Sequence, residues 1–446
     1  MKKLRILFFL LVGTGLSAQS ETVALNLEEA IAYGLANNPS VLNANLEIKK
    51  AYKERWATIA IGLPQIDVSG SYQNFLELPV SLVPAQFFGG AEGEFAEVQF
   101  GTTQNMVGSV QLRQLLFDGS YIVGVQASRV FLNISELGLE KTNLEIRKGI
   151  IDAYGTVLLA TENVTILQKN KANLQKTLEE TRKIFENGFA EEESVEQLQL
   201  TLSRIDSQLN YAKNLKQITT NMLKWILGMP EEGSMILTQN LEELAALKMM
   251  ESKGSAPLSI DNNVDLKFAE NNRKSEVLTY RYEKSKSLPT LSAFVNGTYT
   301  GNSNDFTFTE ANQKWFGSSL FGLNLQVPVF SSLMRSSKSQ KAKLAVQQAE
   351  TKLDDTRNRL LLELDMAKNE MSLALKNYIT SKEDLALAER IEQKNKRKFL
   401  EGMSSSFDLR QAQQQLYSTQ SQYLQSMKTV IDAKTKLETI TNTPIQ

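Results

Sequence analysis

The sequence predicts an internally duplicated α+β fold, in which each half supplies a helix, a pair of β-strands and one very long helical hairpin. Three observations predict it: a long internal repeat, a seven-residue apolar period, and four segments in which apolar and polar residues alternate. Solenoid repeats run roughly 20–50 residues. The repeat in this chain is far longer and indicates a duplicated half-fold with pseudo-two-fold symmetry.

The two copies keep register at both ends. Matching residues near the C-terminal end of each copy are 214 positions apart: Phe185 and Phe399, Gly188 and Gly402, Gln197 and Gln411, Pro230 and Pro444. Matching segments at the front are 225 positions apart: 37–50 with 262–275, and 62–73 with 287–298. Each half should therefore contribute equivalent secondary-structure elements to a single fold.

Residues 1–18 are typical of a secretory signal, with Lys2, Lys3 and Arg5 before an apolar run and Ala18 at its end. The apolar run is shorter than the roughly 20 residues that span a membrane, so we expect export rather than an anchor. Without the signal, 46 basic residues (49 minus those three) face 50 acidic ones, a net charge of −4. That charge is too mild to indicate nucleic-acid binding.

The chain contains no cysteine and no histidine. This excludes disulfides, an acylated N-terminal cysteine, His-based catalytic triads and the commonest metal ligand. No Gly-rich phosphate loop is present, so we expect no enzyme, cofactor or metal site. After the signal no run of 18 apolar residues occurs, so we expect no membrane-spanning helix. An exported chain of this kind is soluble or a β-barrel.

Long helices are predicted where Gly and Pro are scarce. Apolar residues recur at multiples of seven in both copies: Val123, Val130, Leu137, Leu144, Ile151, Leu158; Val195, Leu202, Leu209, Leu223; Leu364, Met371, Tyr378, Leu385; Leu409, Leu416, Tyr423, Val430, Leu437. Lys216 is an exception. A helix over 121–187 would extend roughly 100 Å, and the period implies left-handed supercoiling. Turns are expected near 188–194 and 402–408. On the helices alone, a soluble coiled-coil scaffold remains open.

Four segments alternate apolar and polar residues: 66–73, 106–113, 290–300 and 320–327. Their length is near that of a tilted transmembrane strand. The pattern also suits a soluble sandwich. Four strands cannot close a barrel, which needs about eight, so a barrel would require several chains. The loop at 74–105 carries aromatic residues that suit lipid headgroups or a small loop core: Phe87, Phe88, Phe95 and Phe100.

The order helix, strand pair, long hairpin, twice over behind a signal peptide, resembles the TolC-like outer-membrane efflux protein family over nearly the whole mature chain. The strand-to-helix junctions QLLFDGS (114–120) and VPVFSSL (327–333) are specific marks. The family's hairpin tip has an aromatic residue, Gly three later, an acid-hydrophobic pair and a small residue. The second tip matches with Phe399, Gly402, Asp408-Leu409 and Ala412.

The first tip departs from that pattern. It has Phe185, Gly188 and Val195, but Ser194 stands where the acid is expected. A further acid that the family often carries is replaced in the second tip by Gln411.

The resemblance implies a homotrimer in the outer membrane, pooling four strands per chain into a twelve-stranded transmembrane barrel that a periplasmic α-helical barrel continues. It also implies a periplasmic adaptor and an inner-membrane pump of the RND, ABC or MFS class. The expected function is a channel for efflux or type I secretion. The rival interpretations are a passive porin, a periplasmic adaptor or coiled-coil scaffold without a barrel, and an enzyme.

The predicted organisation has eight parts. They are the signal peptide (1–18), first-repeat helices (19–63), first strand pair with its external loop (64–118), first hairpin (119–230), equatorial linker (231–261), second-repeat helix (262–288), second strand pair with its loop (289–330), and second hairpin with the C-terminal tail (331–446). In the family the linker belts the helical tube.

Two sets of site residues follow from these assignments. The expected gate at the hairpin tips comprises Phe185, Gly188, Glu191, Glu192, Glu193, Ser194, Phe399, Gly402, Asp408 and Gln411. The expected barrel lumen comprises Asp67, Ser69, Ser71, Gln111, Arg113, Asn296, Thr298, Asn324 and Gln326. Rings of acids favour cations, so the tip acids predict a cation-selective gate. The alternative is that they are solvated helix N-termini, where the helix dipole favours acids.

Overall fold

A computed structural model describes residues 23–253 and 258–442. The predicted signal peptide, together with Gly254, Pro257 and Pro444, lies outside the described residues. In chain order, the elements of the described part are β1 (Val23–Leu25), α1 (Leu27–Asn37), α2 (Pro39–Ala60), β2 (Gln65–Asn74), β3 (Val80–Pro84), β4 (Phe95–Gln99), β5 (Gln104–Asp118), α3 (Gly119–Glu186), α4 (Glu192–Leu227), β6 (Met235–Leu237), α5 (Leu241–Lys253), α6 (Val264–Ser285), β7 (Thr290–Ser303), β8 (Trp315–Gln326), α7 (Met334–Leu400) and α8 (Ser406–Thr441).

The duplication is visible in the helices. The descending helices α3 and α7 have 68 and 67 residues, and the return helices α4 and α8 have 36 each. The hairpins turn at 187–191 and 401–405, at or just before the predicted positions. The seven-residue period places these side chains in the helix seams as buried residues: Leu137, Ile151, Leu158, Leu209, Leu223, Leu364, Met371, Tyr378, Leu409, Leu416, Val430 and Leu437.

The four alternating segments form one antiparallel sheet in the order β2-β5-β7-β8. The prediction of the last strand was wrong in its bounds: β8 begins at Trp315, five residues earlier than expected, and Val327 lies beyond its end. Gly317, which occupies a position on the apolar face opposite Tyr299, had obscured the alternation there. Strand β5 is also longer than expected, because it passes a bulge between Leu115 and Phe117 and runs directly into α3.

Short elements fill the segments that the sequence had left as loops. In the first external loop, β3 and β4 form an antiparallel hairpin. The predicted linker at 231–261 contains β6, which pairs in parallel with β1, and the helix α5. The linker therefore has secondary structure of its own.

The chain divides into two compact units. The first comprises Met1–Leu46, Gly138–Lys267 and Thr356–Gln446. Its described part has a core in which α1, α3, α4, α5, α7 and α8 bury apolar side chains, among them Ile150, Tyr154, Leu223, Leu227, Leu244, Val430 and Ile431. This core is larger than the other buried apolar clusters of the described chain.

The second unit comprises Glu47–Leu137 and Phe268–Asp355. It holds the four-stranded sheet together with α2, α6 and the adjoining parts of α3 and α7. The Tyr121 hydroxyl of α3 donates to the Ile59 carbonyl of α2 at 3.0 Å. The apolar face of its sheet has little cover within the chain.

One asparagine joins the end of each return helix to the start of a shorter helix of the same copy: Asn38 joins α4 to α2, and Asn263 joins α8 to α6. Asn38 Nδ2 donates to the Ile226 carbonyl at 2.7 Å, and Asn263 Nδ2 donates to the Ile440 carbonyl at 2.9 Å. Each side-chain oxygen accepts from the first turn of α2 or α6: from the N–H of Ser40, and from that of Asp265. Each asparagine thus satisfies orphan groups at two helix ends at once. The matched segments 37–50 and 262–275 begin at these joints.

One helix in the described part, α3, is long and apolar enough by length and composition to cross a membrane. The sequence analysis considered only uninterrupted apolar runs and therefore did not identify this helix. In its most apolar stretch, 44% of the residues are buried within the chain.

Candidate functional site

The sheet register places all nine predicted lumen residues on one face. Residues directly opposite in antiparallel strands share a face, and Asp67 lies opposite Gln111, which lies opposite Asn296. The row beside it joins Ser69 to Ser109 and Thr298. The remaining predicted residues belong to the same face through their own partners: Ser71 with Val107, Arg113 with Phe294, Asn324 with Ser292, and Gln326 with Thr290.

The charges on this polar face are paired. Arg113 Nη2 contacts Asp67 Oδ2 at 2.9 Å, and both side chains are more than half exposed. Exposed pairs of this kind stabilise a fold little. The hydroxyls of Ser69 and Ser109 share a hydrogen bond of 2.7 Å. A solute on this face would therefore meet hydroxyls, amides and one neutralised ion pair, together with scattered apolar side chains such as Val107, Phe294 and Leu320.

The opposite face of the sheet is apolar and exposed in the single chain. Val68, Tyr299 and Phe321 are each more than three-fifths exposed. At the loop end of the strands, aromatic contacts connect four rings, three of them edge-on and the contact to Trp315 tilted: Tyr72, Phe306, Phe308 and Trp315. The sequence analysis had looked for interfacial aromatics in the first loop and missed this cluster. The alternation of β8, extended back to Trp315, was the signal that could have found it.

The aromatic residues of the first loop do not form a small core. Phe87, Phe88, Phe95 and Phe100 are all at least 59% exposed. Gly89 supplies the left-handed turn that ends the short helix at Ala85–Phe88. These rings are free to meet another surface.

The two hairpin tips use the same turn. Gly188 and Gly402 have φ of 79° and 71°, which is the left-handed region that glycine occupies without strain. The N–H of Gly188 donates to the Phe185 carbonyl at 2.8 Å, and that of Gly402 donates to the Phe399 carbonyl at 3.1 Å. The spacing of aromatic and glycine that marked the tips is therefore the spacing of a helix C-terminal turn.

The second tip contains a capping box. The Ser405 hydroxyl accepts from the Asp408 N–H at 3.2 Å, and Asp408 Oδ2 accepts from the Ser405 N–H at 3.1 Å. The Ser405 hydroxyl also donates to Asp408 Oδ2 at 2.8 Å. These hydrogen bonds, that of the hydroxyl above all, hold the pKa of the Asp408 carboxyl below its ordinary value. The position of Asp408 is explained by helix capping.

The first tip lacks this box. Glu191 is the N-cap of α4, and its side chain makes no capping hydrogen bond. Glu192 and Glu193 lie in the first turn, where the helix dipole favours acids. Ser194, the counterpart of Asp408, donates its N–H to the Glu191 carbonyl at 3.1 Å. Three exposed carboxylates are thus presented together at the start of α4.

The tips contact each other through polar side chains. The Ser406 hydroxyl donates to Gln197 Oε1 at 3.1 Å, and Gln197 Nε2 donates to Glu193 Oε1 at 2.6 Å. Phe399 packs on a buried cluster around Leu409, whereas Phe185 and Gln411 are exposed. The sequence analysis missed Gln197 and Ser406, although Gln197 was already known as the repeat counterpart of Gln411.

A half-buried acid lies further along the second hairpin. Burial raises the pKa of Glu392 on α7, against the opposing effects of Lys396 and Gln413. No apolar period marks this position, so the sequence carried no signal for it. Within 23–253 and 258–442, no group of three or more acidic side chains is arranged to hold a metal ion.

The chain was compared with models of protein families and with curated proteins. The model described as outer membrane efflux protein matches it twice, over residues 31–229 and 256–443. The two matches cover the two copies of the repeat and omit most of the segment between them. The search of curated proteins found no match.

Solved structures share the fold. The outer membrane protein VceC of Vibrio cholerae is 16% identical, with a TM-score of 0.71 over 93% of this chain and 95% of its own. The CmeC outer membrane channel of Campylobacter jejuni is 17% identical, with a TM-score of 0.71 over 93% and 85%. The open state of the MtrE outer membrane channel of Neisseria gonorrhoeae is 16% identical, with a TM-score of 0.67 over 93% and 88%. The chain has the fold of these channels.

Proposed function

We infer that this chain, which belongs to the outer membrane efflux protein family, acts as an outer-membrane channel through which substrate leaves the cell. One observation carries this inference. The family model matches both copies of the repeat, and each copy supplies two strands of one sheet followed by a long helical hairpin. A transport channel needs a lumen and a closable end rather than a catalytic group.

The proposed channel is a homotrimer. Strands β2 and β8 each pair with a single strand, so the sheet has two free edges. Even small barrels need about eight strands, and three chains of four would supply twelve. The polar face would line the lumen and the exposed apolar face would meet lipid, the alternation typical of outer-membrane barrels. The long hairpins would continue the barrel as a periplasmic tube.

The proposed energy source is an inner-membrane pump of the RND, ABC or MFS class, reached through a periplasmic adaptor protein. This follows from the family and from the likeness to channels, and the pump class stays open. The adaptor would contact the hairpin tips, because Gly188 and Gly402 shape the exposed ends of the long helices.

The hairpin tips are the proposed gate. Glu191, Glu192 and Glu193 from three chains, joined by Asp408, would place about a dozen carboxylates near one constriction, and such rings favour cations and repel anions. The contact between Ser406 and Gln197 supports this, because it brings the two tips of one chain together. The gate would therefore select cations.

Electron microscopy of protein extracted by detergent from an outer-membrane fraction tests the proposed function. We expect a trimeric particle in which a tube of about 100 Å projects from a short barrel, given the rise of an α-helix. A monomeric particle found free in the periplasm, without a detergent belt, would favour the adaptor or scaffold alternative.

A further inference from the structure

Helix α4 presents a long apolar stripe that its own chain leaves uncovered. Its members are spaced by four, three, four and three positions and therefore share one helix face: Tyr211, Leu215, Ile218, Met222 and Trp225. Trp225 is 79% exposed and Tyr211 is 71% exposed, and even the least exposed member, Leu215, is 37% exposed. Exposed apolar surface of this extent marks an interaction site.

The duplication provides an internal comparison. The residues 214 positions later, on the same face of α8, are all polar: Gln425, Thr429, Asp432, Lys436 and Thr439. The two return helices have the same length and the same place in the fold. Two of these polar residues form ion pairs within the chain, Asp432 with Lys428 and Lys436 with Glu370 of α7. The fold therefore accommodates a polar face here, and the apolar stripe on α4 requires another explanation.

The packing of α8 shows which of its sides are already occupied. The Ser426 hydroxyl contacts that of Ser381 on α7 at 2.7 Å, and Lys428 Nζ contacts Asp152 on α3 at 2.5 Å. The Tyr423 hydroxyl donates to Glu242 on α5 at 3.3 Å. At 3.6 residues per turn, residues 425, 429 and 432 lie on the side of α8 opposite the one that α5 covers.

The sides of α4 can be assigned in the same way. Leu209 and Ala212 pack with Val164 on α3, and α1 covers the side where Gly34 packs against Leu227. The side equivalent to the α3-facing side of α8 carries Asn214 and Gln217, both exposed and polar. In a trimer a neighbouring copy would cover that polar side, as α3 covers its equivalent on α8. The stripe lies on none of these sides.

We propose that the stripe lines the lumen as an apolar track for organic cations with an apolar body. The proposal rests on the proposed function and on the linker belting the helical tube, as it does in the family. The linker contains β6 and α5, and β1 pairs with β6 and leads into α1, so α1 belongs to the same outer layer. A stripe opposite α1 then faces inward. Charge complementarity indicates which solute would use the stripe. Glu193 lies 18 residues before Tyr211, which is five full turns at 3.6 residues per turn, so the acid and the stripe lie on the same face of α4. The tip acids attract the cation and the track holds its apolar part.

The first test locates the stripe. The chain has no native cysteine, so Ile218→Cys can be labelled alone with a bulky maleimide in the trimer reconstituted in a planar bilayer. We expect labelling to lower single-channel conductance. Glu28→Cys, on the exposed side of α1, is the matched control and should leave conductance unchanged. Full labelling of Ile218→Cys without any change in conductance would overturn the proposal, although the channel itself would stand.

The second test measures binding. With Trp56→Phe and Trp315→Phe, Trp225 is the remaining tryptophan, and ethidium, an aromatic cation, should quench its fluorescence saturably. We expect Ile218→Ser with Met222→Ser to weaken binding about tenfold or more, the loss expected for removed apolar contact. Thr429→Ser on α8 should bind as the parent does. Absence of saturable quenching, or equal affinity in the stripe variant, would overturn the proposal. Loss of the trimer in the parent would instead count against the proposed function.

Discussion

At the hairpin tips, the two copies have exchanged an acid and a hydroxyl. Ser405 and Asp408 form a reciprocal capping box, whereas their counterparts are Glu191 and Ser194, which make no such pair of side-chain bonds. Local helix capping thus explains the acid in the second tip. It does not explain the run of three acids in the first, which remains the stronger candidate for a functional charge cluster.

Replacing Glu191, Glu192 and Glu193 by glutamine should reduce the cation selectivity of the channel. The exchange keeps size and hydrogen-bonding groups but removes nine charges from a trimer. Reversal potentials in a salt gradient across a planar bilayer measure the effect, and Glu231→Gln with Glu232→Gln, in the linker beyond the end of α4 and away from the tips, is the control. Unchanged reversal potentials after glutamine or asparagine at all three sites and at Asp408 would contradict the proposed selectivity.

The capping box makes the second tip sensitive to acid. The pKa of Asp408 is lowered in the folded chain, so its stabilising bonds are fully present above the ordinary carboxyl pKa of about 3.9. They are lost as pH falls through the lowered value. We expect hydrogen exchange in the first turn of α8 to accelerate over that range relative to the first turn of α4. In Asp408→Asn this pH dependence should be absent, and its persistence would point to another group.

At the scale of elements, each return helix is held by one asparagine. Asn263 is 6% exposed and joins the end of α8 to the start of α6, as Asn38 joins α4 to α2. Asn263→Ala should lower the free energy of unfolding by roughly 1–3 kcal/mol, since it leaves buried backbone groups unpaired. Chemical denaturation of the purified protein measures this. The exposed neighbour Asn262→Ala is the control, and an equal loss there would contradict the proposed joint.

At the tip glycines, the backbone conformation disfavours a side chain, whereas the space around them does not. A Cβ added at Gly188 or Gly402 would meet no atom within 4 Å, so only the left-handed backbone disfavours a side chain there. Asparagine tolerates this conformation and a β-branched residue does not. We therefore expect Gly402→Asn to keep export and Gly402→Val to reduce it, with trimers retained in both.

Export assays paired with the trimer fraction on native gels test this expectation. Loss of the trimer in both variants would show that the glycine serves assembly rather than the gate.

At the scale of the whole molecule, the free edges of the sheet require other chains. Strands β2 and β8 are three strand spacings apart, about 14 Å at 4.8 Å per spacing, whereas a disulfide needs Cα atoms within about 7 Å. Ser69→Cys combined in turn with Ser318→Cys, Leu320→Cys or Gly322→Cys should therefore cross-link between chains rather than within one. Non-reducing gels of membrane-extracted protein should show covalent trimers for at least one pair.

The single variant Ser69→Cys is the control and should give no covalent trimer. If every tested register fails to cross-link in protein that is trimeric by mass, β2 and β8 are not neighbours in the assembly.

Much of the architecture could be predicted from the sequence because its signals are periodic. The seven-residue spacing of residues such as Leu364 and Met371 reports a helix seam, and the alternation from Ile66 to Gln73 reports a two-faced strand. Both periods follow from backbone geometry, which is local. Because the chain is duplicated, each of these two patterns occurs in both halves. Gly317 weakened the alternation in β8, whose start at Trp315 was missed for that reason.

The sequence by itself determined the duplicated order of elements, the tips and the membership of nine polar residues in alternating strands, because each depends on neighbours along the chain. Only the tertiary structure decided which strands pair, so that Asp67 meets Arg113, and which helix faces stay open, so that Trp225 is exposed while Leu223 is buried. It also showed that Asn38 and Asn263 join helices distant in sequence. Such contacts depend on packing in three dimensions, for which a single sequence carries no periodic signal.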